Sequence, residues 1–303
     1  DLALANPKFW LYENLIQTPR VQEALRDNPE HKLFDGVGFS ALEALRYHAR
    51  KLNRKLVVVM SSGVVIKDNL RGPDIEIIQA ERPAEEGYVA EQARVLSQRQ
   101  DIIPLHQALY GARGLAPVGN KVVQMIQESG IVPDATFWTL ASGSNVLGIG
   151  GKIKEAFPAA ETVIVEPEMN KTIDPAVDIS NPDAVKNFAR EKLRHYSLDD
   201  WDGRYSGIFP LHVSGANRYL LVKWAATGKM EFDRVLHLPV REMTKTRKKL
   251  SSIDPEFDWT KTTALALAPA IEQAQQGKNV VVMSYGKYRE QEFFGGTVVD
   301  REE

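Results

Sequence analysis

The stretch FWTLASGSNVLGIGGKIKEAFP, residues 137–158, changes character at its middle. An apolar run ends at Leu140, small residues fill 141–144, and a pattern with helical spacing follows. In open parallel sheets, ligands bind beyond the carboxyl ends of the strands, where loops lead into helices. The order of strand, small-residue loop and helix therefore makes Ser142, Gly143, Ser144 and Asn145 a candidate binding loop. Small side chains let a ligand approach the main chain, and the first amides of a helix favour an anion. The hydroxyls of Ser142 and Ser144 and the amide of Asn145 add hydrogen bonds. A phosphate fits that chemistry, and a sharp turn that binds nothing has the same composition.

Outward from this stretch, short β-branched runs recur: KLFDGV, LVVVM, IEII, TVIVEP and NVVVMS. Between them lie ALEALRYHARKL, YVAEQARVLSQ, NKVVQMIQESG and LALAPAIEQAQQ, all with helical spacing. Wholly apolar strands alternating with amphipathic helices predict an α/β chain whose parallel sheets are covered on both faces. No repeat of fixed period and no low-complexity tract is present. At 303 residues the chain is long enough for two lobes with substantial cores. The segment LHQALYGARGLAPVGNK, with its glycines and proline, has the composition of a crossing between lobes. The boundary is placed there, giving lobes of residues 1–112 and 113–303.

Composition narrows the function. The 38 basic residues nearly balance the 40 acidic ones, and no basic block suggests a nucleic-acid groove. Cysteine is absent, so disulfides, thiolate catalysis and cysteine-held metals are excluded for this sequence. The six histidines are scattered, none at a metal-ligand spacing. No apolar run approaches the roughly 20 residues that cross a bilayer. The opening DLALANPKFW has no basic region followed by an apolar core. A soluble, cytoplasmic protein that contacts neither nucleic acid nor membrane is the expectation.

ASGSNVLGIGGKIKEAFPAAETVIVEPE resembles the phosphate loop and following strand of the tryptophan synthase β-chain family, where the loop reads GGGSN and the next strand ends in VEP. Near the other end, NVVVMSYGKYRE is similar to the family's strand followed by S-x-G, with Ser284 and Gly286 at the matching places. RYSGIFPLHVS, residues 204–214, resembles a segment of a divergent branch of that family. The resemblance implies the fold-type II architecture: two lobes, each an open, mainly parallel sheet flanked by helices. It implies pyridoxal 5'-phosphate as cofactor, with its phosphate on residues 142–145 and its pyridine nitrogen beside Ser284. It further implies β-elimination or β-replacement on a small amino acid, in a homodimer or a pairing with another chain.

The resemblance also locates a Schiff-base lysine, and Lys8, after the Asn6-Pro7 pair in LANPKFWLYENL, is the candidate. The glycine and the Asp-Arg pair that surround this lysine in the family are absent. Lys32, in DNPEHKLFDG, is a second candidate, although its use would misplace the following strands. Most lysines are solvated surface charges, and a catalytic amine needs a desolvated setting. Where the family has its substrate-carboxylate loop, this chain has DGVGFSA. Gly38 and Ser40 there are the candidates for holding a carboxylate at a helix start, or for an ordinary capped turn. Toward the end, DWTKTTALALA places Thr262 and Thr263 where the family has small hydroxyl residues. A retained phosphate anchor beside altered catalytic loops leaves a second reading open, that of a catalytically degenerate relative serving as a binding or regulatory partner subunit.

Other features read more plainly. His212, in a glycine-rich loop, reads as a substrate contact, an acid/base group or a solvated histidine. SSG at 61–63 lacks the frame of a nucleophile elbow and reads as a turn. REMTKTRKKLSS reads as a charged helix face.

Overall fold

A computed structural model of the protein describes residues 7–60, 66, 68–80, 87–140, 142–168, 184, 232–257 and 259–284. Two helices come first, α1 (Pro7–Ile16) and α2 (Pro19–Asp27), each opening on a proline. Proline suits a first helical position because its missing N–H would have no partner there and its φ is already helical. The first sheet then follows: β1 (Lys32–Gly36), α3 (Phe39–Lys51), β2 (Leu56–Met60), β3 (Ile75–Gln79), α4 (Gly87–Gln98) and β4 (Ile102–Pro104). Helix α5 (Gln107–Glu128) leads to the second sheet, which begins with β5 (Ala135–Thr139) and β6 (Glu161–Pro167), α6 (Gly151–Ala156) lying between them. Strand β7 (Arg234–Leu238), α7 (Val240–Ile253), α8 (Lys261–Gln275) and β8 (Val280–Val282) complete it.

Among the described residues each sheet has four strands, in the orders β3-β2-β1-β4 and β7-β6-β5-β8, and every strand pair within them is parallel. In each, the chain steps outward from a founding strand in one direction and later returns to pair on that strand's other side. The reversals fall between β1 and β4 and between β5 and β8. Open α/β sheets bind ligands in the crevice at such reversals, outside the carboxyl ends of the strands.

The α/β class with two parallel sheets is as expected from the alternation of strand and helix patterns. Strands β4 and β7 had no counterpart in the sequence reading. At three residues ending in a proline, β4 is too short to display a pattern, and RVLHL of β7 is only partly buried. The glycine-bearing segment around residue 112 is continuous helix rather than a loop between two helices, with Pro117 inside it. Its glycines serve close packing. A Cβ on Gly114 would lie 2.9 Å from the Leu11 carbonyl oxygen, and one on Gly119 would lie 2.6 Å from that of Gly148. Helix α5 therefore lies against α1 on one side and the helix after β5 on another. One apolar core joins these parts, with Leu11, Tyr12, Leu15, Leu42, Leu45, Leu115, Trp138 and Ile149 all buried in it.

Candidate functional site

Lys8 occupies the first turn of α1. Its Nζ donates to Gln107 Oε1 at 2.6 Å, joining the start of α1 to the start of α5. Although the side chain keeps some exposed surface, its amine end is enclosed. Burial disfavours the ammonium form and lowers the pKa to about 8, against an opposing pull from the negative charge of Asp35. An amine with that pKa has a substantial neutral fraction near physiological pH, which nucleophilic attack on a carbonyl requires.

Asp35 is the fourth residue of β1 and is 1% exposed. Four donors surround its carboxyl group. Gly36 N lies 2.9 Å and Gln92 Nε2 3.3 Å from Oδ1, and Gln107 N lies 3.0 Å and Tyr12 Oη 3.2 Å from Oδ2. Burial raises its pKa to about 7, while the hydrogen bonds from Gln107, Gly36 and Tyr12 and the charge of Lys8 oppose that rise. Gln107 also donates Nε2 to the carbonyl of Gly36 at 3.1 Å. The preceding residue, His106, takes a left-handed conformation at φ 53° and ψ 56°. For a non-glycine residue that geometry costs about 1–2 kcal/mol, and it turns the chain from β4 into α5 where Gln107 meets Asp35.

One turn along α5 from Gln107, about 5.4 Å of helix rise, Gly111 backs onto the small-residue loop. A Cβ on Gly111 would stand 2.3 Å from Ser144 Oγ and 3.1 Å from Leu11 Cδ1. Gly143 has φ +75°, which a glycine adopts without steric cost, and helical structure begins at Ser144. The helix continues through a π-helical turn at Val146–Gly150 into α6. Such wide turns recur at functional sites. Ser142 Oγ and Ser144 Oγ are 2.9 Å apart, so the two hydroxyls share one hydrogen bond beside the helix start. Ser144 is buried, while Ser142 and Asn145 are half-buried. Ala141 lies outside the described residues.

Ser284 lies two residues past β8, exposed at the carboxyl end of the strand that pairs with β5. It thus shares with residues 142–145 the reversal point of the second sheet. Gly38 is the N-cap residue of α3 and borders open space, since a Cβ there would meet nothing within 4 Å. Ser40 is in the first turn of α3, and its side chain lies outside the described structure. Lys32 stands at the other end of the first sheet, at the start of β1, with its amine 2.9 Å from Asp101 Oδ2. Thr263 is fully buried, and its N–H donates to Thr260 Oγ1 in the N-cap of α8. His212, Gly286, residues 61–63 and residues 204–214 lie outside the described residues. Among those described, no three His, Asp or Glu side chains gather as a metal site, and no helix is long and apolar enough to cross a membrane.

Sequence reading did not find Asp35, Gln107, Tyr12 or Gln92. A carboxylate closing the apolar run KLFD was the one available signal, because a charged residue on a wholly buried strand needs partners.

No protein-family model and no curated protein matches the sequence. Solved structures do match in three dimensions. A hydrogen sulfide-producing enzyme from Fusobacterium nucleatum, in complex with an α-aminoacrylate intermediate, gives a TM-score of 0.66 at 16% identity. That match covers 99% of this chain and 81% of the other. O-acetylserine sulfhydrylase isoform 3 from Entamoeba histolytica gives 0.61 at 13% identity, covering 91% and 74%. An O-acetylserine-dependent cystathionine β-synthase from Helicobacter pylori gives 0.59 at 15%, covering 92% and 82%. At these identities the likeness establishes a shared fold.

Proposed function

We propose that this chain, which has the fold-type II architecture of those enzymes, binds pyridoxal 5'-phosphate through Lys8 and carries out β-elimination or β-replacement on a small amino acid. The observation that carries the reading is the enclosed Lys8 amine at the start of α5, one helical turn from the glycine that backs the Ser144 loop. A lysine amine and an anion-binding loop are the two anchors that a phosphorylated aldehyde needs, and helix α5 holds both.

The residues present fit the group. The main chain around Gly143, the start of the helix at Ser144 and the hydroxyls of Ser142 and Ser144 suit a phosphate, with Asn145 adding a side-chain amide. Ser284 is the neighbour for the pyridine nitrogen. A hydroxyl there would leave that nitrogen largely unprotonated, which would favour β-chemistry over reactions that need a full electron sink. When bound, the cofactor supplies delocalisation of the electron pair left at the amino acid's α-carbon. Lys8 Nζ would hold the cofactor and would serve as the base for the amino acid's α-proton, a task suited by a pKa of about 8. Gly38 and the first turn of α3, with Ser40, receive the substrate carboxylate at the positive end of the helix.

In this reading residues 1–112 form the substrate-side lobe and residues 113–303 the cofactor lobe, the boundary falling inside α5, and the active form is a homodimer or a pair with another chain. The test is spectroscopic. Purified protein incubated with pyridoxal 5'-phosphate is expected to absorb near ~410–420 nm, as a lysine-bound cofactor does, and to release a β-substituent from O-acetylserine or cysteine. Absence of the band after incubation overturns the proposal. A band without turnover of any small amino acid favours the partner-subunit reading instead.

A further inference from the structure

Lys8 and Tyr12 are four residues apart on α1 and so share a face of that helix. The Lys8 amine reaches Gln107 Oε1, and the Tyr12 hydroxyl reaches Asp35 Oδ2. Gln107 closes the circuit by donating its main-chain N–H to the same Asp35 oxygen. From the other side, Gln92 of α4 and the Gly36 amide hold Asp35 Oδ1. Four groups from α1, β1, α4 and α5 thus enclose one carboxylate, and two of the elements holding it, α1 and α5, also hold the amine.

We propose that Asp35 is a positioning residue for Lys8, holding its enclosed amine in place through Gln107 and α1. The inference concerns the residue that sets the state of Lys8 and rests on the same site as the proposed cofactor chemistry. Asp35 is not assigned contact with substrate, because its oxygens are occupied by protein donors on all four counts above.

Among the described residues, Asp35 is the acidic group whose charge acts on Lys8. On α1, Tyr12 donates to Asp35, and Glu13 lies 3.8 Å from the amine of Lys51. His48, on α3, has its ring nitrogen 2.8 Å from the carbonyl of Phe9, and burial lowers its pKa. His106, at the start of α5, is also lowered by burial and by the positive charge of Arg20. Gln92 and Gln107 are neutral. Asp35 is the charged group that raises the pKa of Lys8, and Lys8 in turn lowers that of Asp35.

The experiment is competitive labelling of the cofactor-free protein with acetic anhydride across pH 6–11, with modification at the Lys8 peptide read by mass spectrometry. Wild-type Lys8 is expected to label with a midpoint near 8, below that of the surface lysines. In Asp35→Asn the midpoint is expected to fall by about half a pH unit or more, giving roughly threefold more neutral amine at pH 7. Asp35→Glu is expected to restore most of the wild-type value. Tyr12→Phe removes one donor and no charge, leaves Asp35 more protonated, and should move the midpoint in the same direction by less. That variant decides the matter if Asp35→Asn does not fold. An unchanged midpoint in a folded variant, or a wild-type midpoint equal to that of the surface lysines, overturns the proposal. Because acetic anhydride needs no cofactor, a protein that shows these shifts but gains no ~410–420 nm band would refute the cofactor reading and leave this inference standing.

Discussion

The amine of Lys8 stands 2.6 Å from the side-chain oxygen of Gln107, a residue 99 positions away in the chain. That contact turns a lysine in an undistinguished sequence context into an enclosed amine at the carboxyl end of a parallel sheet. It also gives the first expected outcome. Lys8→Ala should abolish the cofactor absorbance band, and Lys32→Ala should leave it intact, because Lys32 pairs with Asp101 at the opposite end of β1. A spectrum that disappears only in the Lys32 variant would reverse the assignment.

Enclosing that amine costs stability. A folded-state pKa lowered from 10.5 to about 8 means that the native state resists a charge the unfolded state accepts. The penalty is fully present below pH 8 and vanishes above about 10.5. Lys8→Met removes it but leaves the Gln107 oxygen without that donor, so the net gain at pH 7 should be about 1–2 kcal/mol. Urea unfolding at pH 7 and pH 10.5 checks this: the advantage of the variant should shrink at the higher pH. A variant less stable than wild type at pH 7 contradicts the account.

Gly111 lies where α5 meets the loop. Its replacement by alanine puts a methyl group 2.3 Å from Ser144 Oγ and 3.0 Å from Ser144 Cβ. Overpacking of this kind costs about 1–3 kcal/mol. Gly111→Ala should therefore lower the urea midpoint and weaken pyridoxal phosphate binding, read by titration of the absorbance band. Adding Ser144→Ala removes the closest clash and should recover part of the stability without restoring binding. Unchanged binding in Gly111→Ala would separate α5 from the loop's function.

Away from the site, Asp74 receives Arg46 on both oxygens, at 2.7 and 3.0 Å, and Arg50 Nε at 2.7 Å. The hydrogen bonds from Arg46, followed by that from Arg50, hold its pKa well below the usual carboxylate range. The stabilisation is present above the unfolded-state value near 3.8 and is lost as pH falls further. Asp74→Asn should cost about 1–2 kcal/mol at pH 6. At pH 3 the difference from wild type should narrow, and equal urea midpoints at pH 6 would show that the pairing contributes nothing.

The sequence by itself determined the α/β class, six of the eight strands among the described residues and the position of the candidate anion loop. These are local matters: apolar runs, helical spacing and small residues at a strand end are written into consecutive positions. The surroundings of Lys8 were not legible in that way. Asp35, Gln92 and Gln107 come from three elements 57 and 72 residues apart in sequence from Asp35, and only the return of β4 to the far side of β1 brings them together. Likewise the glycines of α5 read as breaks in a helix until the packing showed what each one admits. Tertiary structure decided which lysine is enclosed and which carboxylate attends it, because desolvation and long-range pairing depend on what surrounds a side chain in space, which no window of sequence contains.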